Sequence, residues 1–149
     1  MKDINIVFEE IDKHKERLMY VLEKIKRFGD FNLDMLEDPE KVETIDAFLF
    51  RFSKMQDTMG EKLFPLILEY LGEEARSKPF IDILNRLEQL GFLSSSNQWK
   101  ELRKIRNLLM HTYPWEKEIL IKELNEAIRS AENLIKIYDL MKEKIRPYL

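Results

Sequence analysis

From Ile4 onward the apolar residues Val7, Ile11, Leu18, Leu22 and Ile25 return at three- and four-residue steps, which predicts a helix ending near Phe28 and Gly29. His14 falls on or near this stripe, as a boundary histidine with no matching acid or arginine motif. Asp38 followed by Pro39 reads as an N-cap and a first-turn proline, opening a second helix through Phe48, Phe52, Met55 and Met59. Gly60 and Pro65 should bend or split that helix before Gly72 stops it. Its middle, TIDAFLFRF, is apolar on more than one face, as expected of a helix buried on two sides, one of them against a partner chain. A short helix is predicted from Pro79 to about Leu90, ended by Gly91. Ser95 or Ser96 then caps a fourth, and Pro114 opens a fifth. In the fifth, Leu120, Leu124, Ala127, Ala131, Leu134, Tyr138, Met141 and Ile145 follow the spacing of a bundle seam.

The pattern therefore predicts an all-α, up-and-down bundle of about five helices in a single domain over residues 1–149. Composition agrees: 44% hydrophobic and 36% charged residues with only 4 Gly and 5 Pro suit long helices rather than a turn-rich sheet protein. A formal charge of -3 argues against a globally basic nucleic-acid binder, so any phosphate site must be a local basic patch. The absence of cysteine excludes disulfides, thiolate metal ligands and a cysteine nucleophile. The amino terminus has no signal-peptide core and no apolar run approaches membrane-spanning length, so a cytoplasmic location is expected.

The fourth helix carries the candidate chemistry, in the stretch RKIRNLLMHTYPW. On a helical wheel Leu102, Ile105, Leu108 and Leu109 share one arc, the expected core face. The opposite arc holds Lys100, Arg103, Lys104, Arg106, Asn107 and His111, with Trp99, Met110 and, toward one edge, Tyr113. Trp and Met are unusual on a solvated face, so Trp99 and Met110 are expected to meet a symmetry-related copy of the same helix. Trp99 could instead pack under a loop of its own chain. Arg106 and His111 leave the helix roughly 140° apart and can border one cleft. Asn107 stands four residues before His111 and could fix its tautomer.

No Glu-x-x-His pair or histidine cluster supports a metal site, and no cofactor is expected. Cleavage of RNA through its own 2′-hydroxyl requires a base, an acid and positive charge around the phosphate, which histidine and arginine supply. One chain offers a single well-placed histidine, whereas a homodimer would offer two, with two arginines, across a shared cleft. Each residue also has a plainer account: His111 favours the negative end of a helix dipole, KELRKIR could be a solvated face, and Tyr113 could shape the turn before Pro114.

The motif Arg106-Asn107-x3-His111-x-Tyr113, late in a small helical chain, resembles the signature of the HEPN domain. It is most similar to the HepT toxins of type VII HEPN/MNT toxin-antitoxin systems, and FLFRFSKMQDTMGEKLF is similar to the second helix of that family. The resemblance implies a dimeric helical bundle with a composite, metal-independent endoribonuclease site. In that site Arg106 would stabilise the phosphate, His111 would act as acid or base, and Asn107 would support the geometry. Lys100, Arg103 and Lys104 are the candidate RNA-binding residues. The implied partner is a minimal nucleotidyltransferase antitoxin, which would transfer AMP to Tyr113. The competing expectation is a non-catalytic helical adaptor, or substrate-binding subunit, for a nucleotidyltransferase.

Overall fold

A computed structural model describes residues 2–149, and among them every regular element is helical. Helix α1 spans Ile4–Arg27, α2 Pro39–Thr58, α3 Phe64–Tyr70, α4 Phe80–Gln89, α5 Ser96–His111 and α6 Lys117–Ile145. A π-helical turn, Met59–Leu63, joins α2 to α3 without a break, so these two form one rod and the molecule is a bundle of five. The expected disturbance at Gly60 takes this form: a wider turn that keeps the chain helical.

Local chemistry explains the boundaries. The Asp3 carboxylate accepts from Asn5 N and starts α1, while Gly29, at φ 77°, adopts the left-handed conformation that turns the chain away after it. Asp38 caps α2 by accepting from Glu40 N at 3.0 Å, with Pro39 in the first turn. Ser95 caps α5 by accepting from Gln98 N. One boundary differs from expectation. Pro114 does not open the last helix but sits inside a turn closed by Glu116 N donating to the Tyr113 carbonyl, and α6 begins at Lys117. Proline suits the second position of such a turn because its φ is already set.

The core is continuous through all the helices. Ile4, Val7, Ile11, Leu18, Leu22 and Ile25 of α1 are buried, as is the α6 seam from Leu124 to Ile145. Contacts fix the helix directions. Along α1, Asp12, Lys15 and Lys26 meet Lys142, Asp139 and Glu132 in turn, so α6 runs antiparallel to α1. Glu10 and His14 of α1 meet Lys62 and Arg51, so the α2–α3 rod is antiparallel to α1 as well. Where α1 and α6 cross, the buried Tyr138 hydroxyl donates to Asp12 Oδ1 at 2.6 Å and its ring meets Phe8 edge-on. Burial, reinforced by that hydrogen bond, pushes the Tyr138 hydroxyl far above the usual tyrosine range.

The second helix is not buried on two sides throughout: Phe48 and Phe52 are in the core, but Phe50 is half exposed beneath the cations of Arg51 and Lys54. No helix among the described residues is long and apolar enough to cross a membrane.

His14 is half-buried between α1 and α2, where Arg51 Nη1 donates to its Nδ1 at 3.2 Å. Burial first, then the nearby Arg51 charge, lowers its pKa from the ordinary 6.5, with Lys54 and Arg17 acting the same way and Glu10 opposing. The folded protein thus binds this proton less readily than the unfolded chain. The stabilising contribution is full above the unfolded value and is lost as pH falls through the folded one. Urea denaturation between about pH 6.5 and pH 5 should show wild type losing more stability than His14→Gln. Equal slopes for the two proteins would contradict this account.

Candidate functional site

Helix α5 presents its candidate residues through a buried arc that differs from the expected one. Leu102, Ile105 and Leu109 are buried as anticipated, but Leu108 is exposed and Trp99 is 1% exposed. The core face is therefore rotated toward Trp99 by roughly 60°. The Trp99 ring packs 4.6 Å from that of Phe64, and its Cζ2 lies where Gly60 leaves room beside the π-helical turn. Trp99 is thus an internal anchor of its own chain and is not available to a second copy. Met110, the other residue expected to meet a partner, is 55% exposed.

This anchoring brings α5 against α2 so that Arg103 and Arg106 share one carboxylate. Arg103 Nη1 donates to Asp57 Oδ1 at 2.8 Å, and Arg106 Nη2 donates to Asp57 Oδ2 at 3.4 Å. All three side chains are two-thirds or more buried. Arg106 Nη1 also donates to Asn107 Oδ1 at 3.2 Å. Asn107 therefore orients the arginine beside it, not the imidazole of His111 as the helical spacing suggested. Asp57 was not among the residues singled out from the sequence. Its position on the α5-facing side of α2, one turn after Ser53, carries no local signal of its role.

His111 closes α5 and is exposed. It lines a groove of about 570 Å³ together with Asn107 and Leu108, over an apolar bed of Phe80, Ile81 and Leu84. The ionisable groups lining this groove are Lys100, Arg103, Lys104 and His111, all basic side chains. Arg106 does not line it. Within one chain, then, Arg103 touches both the Asp57 cluster and the groove, while Arg106 and His111 stand on separate sides of it.

After α5 the backbone is held by Thr112, whose N–H donates to the Leu108 carbonyl at 2.9 Å and whose hydroxyl lies 2.6 Å from Glu123 Oε2 on α6. The turn beyond carries Tyr113 and Trp115, their rings stacked at 4.6 Å and both largely exposed. Trp115 was not anticipated as part of this surface. The Tyr113 ring stands free of the core at the end of the helix that carries His111. Among the described residues no group of three or more His, Cys, Asp or Glu side chains forms a metal-binding cluster.

The chain matches no protein-family model, no curated protein and no solved structure.

The shared carboxylate generates a direct test. Asp57→Ala leaves two guanidiniums against each other, with Arg106 mostly buried, and should destabilise the fold by ~1–2 kcal/mol in urea denaturation. Part of that loss should be recovered at about 1 M salt, where like-charge repulsion is screened. A variant as stable as wild type at low salt would show that Asp57 does not hold the arginines.

Proposed function

We propose that this chain is the RNA-cleaving toxin of a HEPN/MNT pair, a metal-independent endoribonuclease. The observation that carries the reading is the groove whose ionisable side chains are all basic and include His111. Phosphate contacts from Lys100, Arg103 and Lys104 would hold the RNA backbone without selecting sequence. In the reaction the 2′-hydroxyl loses its proton to a base and its oxygen attacks the adjacent phosphorus. The P–O5′ bond breaks, and the leaving oxygen takes a proton from an acid, giving a 2′,3′-cyclic phosphate and a 5′-hydroxyl. His111 serves in these proton transfers, and Arg106 supplies positive charge to the transition state.

A homodimer joined through the exposed part of α5 would complete the site. Leu108 and Met110 are apolar and exposed there, and pairing α5 with its copy would bring a second His111 and a second Arg106 to the cleft. Asp57 then acts as a positioning residue, holding Arg106 while Asn107 steadies the other side of the guanidinium.

The exposed Tyr113 supports regulation by a nucleotidyltransferase partner. Its hydroxyl oxygen would attack the α-phosphorus of ATP, forming a phosphodiester as pyrophosphate leaves. The added anion and bulk two residues beyond His111 would repel and block RNA. The same exposed Tyr113–Trp115 pair also suits the second reading, a helical adaptor that docks a nucleotidyltransferase without cutting RNA.

His111→Ala and Arg106→Ala should each lower the rate of RNA cleavage by about 10²-fold or more while leaving a folded protein, measured on purified protein with EDTA present. Retained cleavage in either variant would remove that residue from the site, and a wild type that binds the nucleotidyltransferase but cuts nothing would favour the adaptor. Tyr113→Phe should still cleave RNA yet take up no AMP from the partner enzyme, as read by mass spectrometry. A Phe variant that gains the mass of AMP would point to another acceptor.

A further inference from the structure

A second cavity, of about 640 Å³, lies on the other side of Trp99, between the π-helical turn and α4. Phe80, Trp99 and Arg103 line both this cavity and the His111 groove, so the two are neighbours. Its volume falls in the range of roughly 300–1,000 Å³ typical of small-molecule sites. Gln56 lines it and is 0% exposed, yet neither Gln56 Nε2 nor Oε1 has a hydrogen-bond partner among the described residues, and Trp99 Nε1 has none either. Burying such groups unpaired is costly, and a glutamine that only filled core space would be better replaced by methionine. Phe80 and Trp99 form its aromatic side, Phe80 being 42% exposed and parallel to Phe64, while Asp57, Glu61, Glu69 and several lysine and arginine side chains make the rest of the rim charged. Gly60 lies against both the Phe80 and Trp99 rings, where an added Cβ would sit 3.5 Å from each.

We propose that this cavity receives a nucleobase, with Phe80 against its face and the Gln56 amide, closed off in the unliganded chain, turning to pair with its edge. The amide offers both a donor and an acceptor in one plane, which matches the mixed edge of a base. Resting on the ribonuclease reading, the base is that of the RNA nucleotide next to the scissile phosphate: Arg103, at the junction of the two cavities, would hold that phosphate while the base is turned inward. This gives the basic groove, which cannot read sequence by itself, a means of choosing where to cut.

The test is calorimetric titration of the full chain with AMP, GMP, CMP and UMP, beside mapping of cleavage sites in total RNA. At least one nucleotide should bind at millimolar concentration or tighter, and Gln56→Met should weaken it tenfold or more while raising the melting temperature of the unliganded protein. Gly60→Ala, whose methyl meets both rings at ordinary contact distance and so permits folding, should weaken the same nucleotide by narrowing the cavity. In RNA, Gln56→Met should flatten the base preference at the cut. Equal nucleotide affinity in wild type and Gln56→Met, or no binding of any of the four, would overturn the proposal. If that occurs while His111-dependent cleavage persists, the ribonuclease stands without a base pocket. A Gln56-dependent nucleotide site in a protein that cuts no RNA would instead remove the ribonuclease and leave the base site.

Discussion

The Trp99 ring packed against Phe64 is the contact on which the candidate site depends. It is the largest fully buried side chain, and it meets the α2–α3 rod where that rod widens into a π-helical turn. At that turn Gly60 brings the rod close to the indole edge, where a Cβ would lie in ordinary contact with it. Once Trp99 is seated, the rotation of α5 is fixed. Arg103 and Arg106, one and two turns along, fall against Asp57, and His111 is carried round to the opposite side.

The result is a division of charge across one helix. On the α2 side the two guanidiniums are matched to a single carboxylate, which offsets their mutual repulsion and the cost of partial burial. On the α4 side the cations of Lys100, Arg103 and Lys104 have no carboxylate lining the groove with them. A chain that is acidic as a whole can therefore present a locally basic surface. Arg103 belongs to both sides and is the link between them.

Much of the architecture was legible because it rests on local rules. The α1 stripe, the Asp38–Pro39 start of α2, the Gly91 stop after α4, the Ser95 cap and the α6 seam are written in spacing and capping residues, and each recurs in the fold. What stayed hidden depends on neighbours distant in sequence. The wheel gave the apolar arc of α5 but treated Trp99 as a surface residue, because the space that receives it is made by Gly60 and Phe64. With the arc misplaced, Leu108 was assigned to the core and Asn107 to His111, whereas one is exposed and the other bonds to Arg106. Asp57 and Gln56 gave no signal for a related reason. They read as ordinary members of a long helix until α5 is laid across them. Pro114 was misread because a proline can open a helix or set a turn, and only the bond from Glu116 N to Tyr113 O distinguishes the two.

The functional reading joins a site motif with a groove that suits its chemistry: imidazole, guanidinium and lysine side chains around a place for a phosphodiester. Its central claim is that the RNA supplies its own nucleophile, the 2′-hydroxyl, with His111 moving the proton. The chemistry of the cut ends reports this most directly. RNA incubated with the purified protein in EDTA should acquire 2′,3′-cyclic phosphate and 5′-hydroxyl termini. Termini bearing a 3′-hydroxyl and a 5′-phosphate would mean that water or another external nucleophile attacks the phosphorus, and would contradict the account.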